Sequence, residues 1–259
     1  MARVKIASGW SNPGGSTLHH IGLTKLLNEA GHECTFYGPH TWHMSKCSAE
    51  NIHNLTIEPD DILISHFLDP ATFVGAPCRK HILSCHETDL YPLKQIKDLP
   101  FDLIQYVSNR QRAWHGVNHP FVIIPPRVET VEWSAPGTKT AGVIGSIDAH
   151  KQTAEAIALA LEKGYERIML YGDITDTAYY QTYVQPFVYE GTALVMGHKE
   201  NRKAMYATLD AVFHMSKRET YGMVEAECKS AGIPFYGNEN HPIVISDEEV
   251  LEKWESLLI

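Results

Sequence analysis

Along the whole chain, short and nearly continuous apolar runs alternate with stretches whose apolar residues recur at helical spacing. Residues 4–8 read as a first strand, followed by the turn-rich Asn12-Pro13-Gly14-Gly15-Ser16. Leu18, Ile21, Leu23, Leu26, Leu27 and Ala30 then mark one face of a helix, which Gly31 stops. Residues 34–37 form the next strand. Strand, glycine loop, helix and strand in that order make a βαβ unit. Further runs at 62–65, 81–85, 103–107 and 121–124 show little alternation, as strands covered on both faces do. Pro125-Pro126 stops the last of them.

The polar segment 132–140, with Pro136-Gly137 at its centre, reads as a linker. The rhythm then restarts with a strand at 141–144 and a loop at 145–150. Ala154, Ile157, Ala158 and Leu161 give a helix face, which Gly164 ends. Strands follow at 168–171, 193–196, 211–215 and 233–236. Residues 246–259 read as a closing helix, capped by Ser246 with Asp247, Glu248 and Glu249 in its positive first turn. The expected class is therefore α/β, with two Rossmann-like domains, 1–132 and 133–245. Ligands of open α/β sheets sit beyond the C-terminal strand ends, so two such sheets facing each other would enclose a cleft.

Length agrees, since 259 residues is between one and two domains at roughly 150 residues each. With 44% hydrophobic and 20% charged residues the chain is too apolar to be disordered. A formal charge of −9 argues against a general phosphate-backbone binder, while leaving room for a local basic cleft. Arg79, Lys80, Arg110 and Arg112 are the candidates for one, and ordinary surface charge is the alternative reading. No apolar run approaches the ~18 residues of a membrane span. The first eight residues read as a strand rather than a signal-peptide core, which gives an expectation of a cytoplasmic protein. The five cysteines contain no Cys-x-x-Cys pair, so neither a disulfide framework nor a zinc ribbon is expected. Of the 15 histidines, His19-His20 on the first helix is expected to be partly exposed rather than metal-binding, since no third ligand is suggested.

Three constellations could carry chemistry. Gly14-Gly15 precedes a helix whose free first-turn amides suit a phosphate or carboxylate, although Pro-Gly-Gly is also simply a turn. Residues 145–151 occupy the equivalent place in the second half, with Lys151 at the helix start able to put a point charge on a phosphate. An exposed lysine is the alternative. Residues 216–227 follow the strand 211–215, with Glu219 in a loop and Gly222 near the start of a helix carrying Glu227. A carboxylate there can accept from the two hydroxyls of a ribose, and a solvated acidic helix face is the competing reading.

Glu219 and Glu227, separated by seven residues, with Tyr221-Gly222-Met223-Val224 between them and Ala231-Gly232-Ile233-Pro234 after them, resemble the signature of retaining family-4 glycosyltransferases of the GT-B fold. Residues 12–31 are similar to that family's first Gly-Gly loop and helix, and 123–129 (IIPPRVE) to the segment closing its N-terminal domain. Gly145 and Lys151 are spaced as in its second-domain loop. Leu170-Tyr171-Gly172-Asp173, Met196-Gly197-His198 and 210–216 follow its later pattern. The ordered set covers nearly the whole chain, in a short, viral-type version.

The resemblance implies roles. Glu227 would bind the ribose of a nucleoside-diphosphate sugar and Glu219 would sit against the donor sugar. Lys151 would neutralise the departing diphosphate. Gly14 and Gly15 would line the phosphate and sugar site, with Gly145 and the amides near Tyr221, Gly222, Met223 and Val224 also on the donor. His86 falls where the family has a histidine close to the transferred sugar, and His198 and Lys199 where backbone meets the base. The closing helix would pack back on the first domain. No Asp-x-Asp motif occurs, so neither cofactor nor metal is expected. Ser146 stands where the family has a phosphate-binding arginine, with Lys217, Arg218 or His150 as substitutes. The implied activity is hexosyl or pentosyl transfer to an acceptor hydroxyl of a glycan, a metabolite or a modified nucleic-acid base. The rivals are a sugar-nucleotide epimerase of the same fold and a non-catalytic nucleotide-sugar binding protein.

Overall fold

The computed structural model describes residues 1–88 and 99–259. They divide into two units, Met1–Arg127 with Val244–Ile259, and Val128–Ile243. The first runs β1 (Arg3–Ser8), α1 (Gly15–Glu29), β2 (Glu33–Gly38), β3 (Ala49–Asn51), β4 (Asp61–His66), β5 (Lys80–Cys85), β6 (Leu103–Tyr106), α2 (Asn109–His115) and β7 (Phe121–Ile123). Its seven strands lie in the order β3-β2-β1-β4-β5-β6-β7, and every pair is parallel. The unalternating apolar runs are explained by burial: Ile6, Ile62, Ile64 and Ile82 are fully covered and pack with Leu23 and Leu27 of α1.

The second unit runs β8 (Thr140–Ile144), α3 (Thr153–Glu162), β9 (Arg167–Tyr171), α4 (Thr177–Tyr179), a π-helical turn (Tyr180–Val184), α5 (Gln185–Tyr189), β10 (Ala193–Val195), α6 (Arg202–Tyr206), β11 (Ala211–His214), α7 (Met223–Ala231) and β12 (Phe235–Gly237). Its five parallel strands are ordered β10-β9-β8-β11-β12. The expected class, α/β with two parallel Rossmann-like sheets, is the one observed.

The last helix, α8 (Asp247–Glu255), belongs to the first unit. Val250 and Trp254 are fully buried in the cluster that holds Leu23, Leu27 and Ile124. Ser246 and Glu249 close a reciprocal capping box at its start. Beyond its end, Arg79 donates to Leu258 O at 2.6 Å and Lys80 to Leu257 O at 2.7 Å.

Each sheet reverses its strand order once, between β1 and β4 in the first unit and between β8 and β11 in the second. Ligands of doubly wound sheets sit in that crevice, at the carboxyl ends of the strands. The loops leaving β1, β8 and β11 carry Gly14, Gly145 and Glu219, so the three expected constellations all fall at a switch point.

Expected boundaries move, beginning with the division of the chain, which was expected at 132/133 and falls at 127/128, with Val131 packed into the core of the second unit. Lys151 does not start a helix. Its amide, with that of His150, is taken by the Asp148 carboxylate, and Gln152 turns left-handed (φ 51°) before α3 begins at Thr153. Ile233 is not in a strand, because its amide returns to Cys228 O to close α7 behind left-handed Gly232.

Candidate active site

In the second unit the lysine of one loop meets the glutamate of the next. Lys151 Nζ pairs with Glu219 Oε1, and His214 Nε2 lies 3.0 Å from the same oxygen. His214 Nδ1 faces Ile144 O at 3.2 Å, so the last residue of β11 is anchored to the last residue of β8. Burial works to raise the Glu219 pKa but is outweighed by the His214 hydrogen bond and the Lys151 charge, which bring it down to about 2. Glu219 is therefore a carboxylate at any physiological pH.

Asp148 organises the loop that presents Lys151. Its two oxygens accept from the Ser146 hydroxyl at 2.6 Å, the Thr175 hydroxyl at 2.9 Å, and the amides of His150 (2.9 Å) and Lys151 (2.8 Å). Those bonds hold its carboxyl below the ordinary range despite burial. Ser146 is thus committed to Asp148. The two loops are stitched by Lys217 N to His150 O at 3.0 Å and by His150 Nε2 to Arg218 O at 3.0 Å. Gly145, at φ 138°, donates to Tyr171 O at 2.9 Å. Its carbonyl lies against Gly172, where a Cβ would meet that oxygen at 1.9 Å.

The acidic face of α7 is not solvated. Glu225 and Glu227 are both 1% exposed. Glu225 accepts from the amides of Asn240 (2.6 Å) and His241 (3.1 Å) and pairs with Lys229 at 2.8 Å, fixing the segment after β12. Glu227 accepts from Tyr206 Oη at 2.6 Å and pairs with Arg202, so both of its oxygens are met by α6. Burial pushes the Tyr206 phenol well up, which keeps it a donor. Gly222, left-handed at φ 93°, caps α7, and the first-turn amides behind it at Met223 and Val224 have no place in the helix's own ladder. Tyr221 is buried and donates to Ile243 O at 2.6 Å. His198 and Lys199 are exposed beyond β10.

In the first unit, Gly14 and Gly15 open α1 half-buried, with no side-chain cap. His86 follows β5, and its ring joins His19, His20 and His66. The expectation for His19-His20 fails here: they are 1% and 0% exposed, and a third histidine does stand beside them. The 3.6-residue period puts His20 on the apolar face with Leu23 and Leu27, and the weight given to polarity hid it. Of the basic candidates, Arg79 and Lys80 are tied to the α8 end and Arg112 stacks over Phe121 at 4.0 Å.

The structure thus brings Gly145, Lys151 and Glu219 together, sets Glu227 against α6, and gathers His86 with three other imidazoles. Asp148, His214, Arg202, Tyr206 and Glu225 also shape the site, beyond the residues expected from the sequence. Asp-x-His-Lys after a strand was the available signal for Asp148, as a short acceptor two and three residues before free amides. Arg202 and Tyr206 meet Glu227 from another helix, while His214 and Glu225 add bonds to the far-off Ile144, Asn240 and His241 to those they make nearby.

No family model matches the chain, and no curated protein matches it by sequence. Solved structures do match. HepE of Anabaena in complex with UDP-glucose superposes with a TM-score of 0.73 at 13% identity, over 100% of this chain and 90% of that one. TarM gives 0.69 at 10% identity, over 100% and 92%. AviGT4, a glycosyltransferase involved in avilamycin A biosynthesis, gives 0.62 at 20% identity, over 98% and 87%. At these identities the likeness speaks for architecture, and the chain has the two-sheet α/β fold of GT-B glycosyltransferases.

Proposed function

We propose that the chain is a retaining glycosyltransferase of the family-4 type, moving a sugar from a nucleoside-diphosphate sugar to an acceptor hydroxyl. The observation that carries this reading is the Lys151–Glu219 pair at the switch point of the second sheet, held by Asp148 and His214. Departure of a sugar from a diphosphate leaves negative charge on the phosphate oxygens, and a cation fixed beside them lowers the barrier. When the diphosphate engages the Lys151 ammonium, the Glu219 carboxylate is released to accept from sugar hydroxyls. Lys151 then serves as counter-charge, in place of a cation bound at the diphosphate. With Ser146 committed to Asp148, Lys151 takes the phosphate with Lys217, Arg218 or His150 of the adjoining loops as the substitutes for the arginine of the resemblance.

Glu227 would meet the ribose, with Arg202 moving off its Oε1 or sharing it. Retention is what the resemblance to family-4 enzymes implies. The ties that hold Arg79, Lys80 and Arg112 within the first unit favour a glycan or metabolite acceptor over nucleic acid. Five free cysteines suit a reducing, cytoplasmic setting. Among the described residues no helix is long and apolar enough to cross a membrane.

The experiment is a thermal-shift panel of UDP, GDP, ADP and CMP with their sugar conjugates, UDP first because HepE is known bound to UDP and to UDP-glucose. One nucleoside diphosphate at a hundredfold excess over its Kd should add about 2.7 kcal/mol of stability. Slow hydrolysis of the matching sugar conjugate, unchanged by added Mg or Mn, should accompany it. Binding without release of the sugar in any acceptor mixture would favour a non-catalytic binder, and conversion of the donor to an epimer without any acceptor would favour an epimerase.

A further inference from the structure

The first unit packs four imidazoles where α1 meets the ends of β4 and β5. Ring centroids of His19, His20, His66 and His86 lie 4.7 to 5.5 Å apart along the contacting edges. Hydrogen bonding fixes which nitrogens are free. Gln105 gives its amide to Ile124 O at 2.8 Å, so its Oε1 is an acceptor, and the Ser84 hydroxyl donates its one proton there at 2.8 Å. His20 Nε2 and His86 Nε2, each 3.1 Å from Ser84 Oγ, must then be the N–H ends of their rings. Both rings are left with a lone pair on Nδ1. That of His20 is buried without a partner, as is His19 Nε2. A buried ring nitrogen left unpaired is costly, and two in one place point to something that pairs with them.

We propose that His19, His20 and His86 form a binding site for a divalent transition-metal ion of the zinc class. One nitrogen from each ring falls within 4.8 Å of the others. Zinc–imidazole bonds of about 2.0–2.1 Å set the nitrogens of a tetrahedral site ~3.4 Å apart, so the rings close on the ion by roughly an ångström. All-imidazole donors select borderline ions such as Zn, Co, Ni or Cu over Mg or Ca. Ser84 supplies the outer hydrogen bonds that orient two of the ligands. Negative charge is at hand in Glu87, which meets His66 Nε2 at 2.7 Å and the His86 amide at 3.1 Å. His19 is the weakest ligand: its Nδ1 accepts from the Arg127 amide at 3.3 Å, a bond lost when the proton moves to Nδ1 to free Nε2. Three protein ligands leave the fourth place for water or a ligand oxygen.

The inference does not rest on the transferase reading, because its readout needs no donor. The full chain is stripped with a chelator and titrated with Zn by calorimetry and with Co by visible absorption. The expected result is one ion per chain, the intense d–d bands of tetrahedral Co, and a higher Tm. His20→Ala and His86→Ala should each abolish binding. Ser84→Ala, which keeps all three ligands, should weaken it 10- to 100-fold. His241→Ala, in the exposed group Glu225, Glu239 and His241, should change nothing. Absence of binding by the stripped, folded chain overturns the proposal, as does binding that survives Ser84→Ala undiminished or vanishes with His241→Ala. If the histidine variants do not fold, the Co spectrum and Ser84→Ala decide it.

Discussion

Lys151 and Glu219 face each other across two loops, and each role can be tested separately. Losing a charge-assisted contact costs about 1.5–3 kcal/mol, so Lys151→Ala should lower turnover roughly 10- to 150-fold, and Tm should fall as well because Glu219 is left without its cation. A loss under a few-fold, measured under saturating donor, would remove the lysine from the phosphate. Glu219 adds a stability signature with a definite sign. Its folded pKa of about 2 lies below the ordinary 4.5, so its stabilisation is complete above about 4.5 and drains away as pH falls toward 2. Urea midpoints across that window should fall for the wild-type chain and fall less steeply in Glu219→Gln, with carboxylates such as Asp148, also held below the ordinary range, supplying the rest. The sequence showed Lys151 and Glu219 through their spacing within each loop. It did not show His214, whose anchor Ile144 comes from a neighbouring strand, and Asp148 was legible only as a short acceptor just ahead of the amides of His150 and Lys151.

At the scale of elements, one glycine and one cap decide more than propensity does. Gly172 sits at φ 150° with the Gly145 carbonyl where a Cβ would go. Gly172→Ala must push back the loop that carries Lys151, so it should weaken donor binding more than tenfold while α1 and the first sheet keep their hydrogen-exchange protection. Ser246→Ala should remove about 0.5–2 kcal/mol, read as a lower Tm, because it leaves the Glu249 amide of α8 unmet. Most long elements were legible because buried parallel strands write unbroken apolar runs and α8 announces its cap. The elements passed over are those without such signals. β3 is three residues of a polar edge strand, and α2 reads NRQRAWH, held by the Ser108 cap and by tertiary bonds of Gln111 rather than by an apolar stripe. His20 hides its burial for the converse reason, being a polar type on an apolar face.

For the whole molecule, the chain leaves its first unit at residue 127 and returns at 244, so α8 completes a core begun more than two hundred residues earlier. Trp254 is fully buried there, and Arg79 and Lys80 fasten the residues after it. Truncating a buried Trp to Ala costs about 3–5 kcal/mol, a large part of the ~5–15 kcal/mol that holds a typical domain. The Val4, Ile6, Ile62 and Ile82 side chains share its cluster, whereas the second sheet has cores of its own around Ile168, Leu170 and Phe213, and around Tyr206 and Val212. Trp254→Ala should therefore strip exchange protection from β1, β4 and β5 and leave β8, β9 and β11 protected, with two separate thermal transitions where the first moves down. UDP, if it binds Lys151 and its loop, should still raise the second. Equal loss of protection in both sheets would mean that the two units unfold as one cooperative block, and that the returning helix stabilises the donor loops as well as the core it caps.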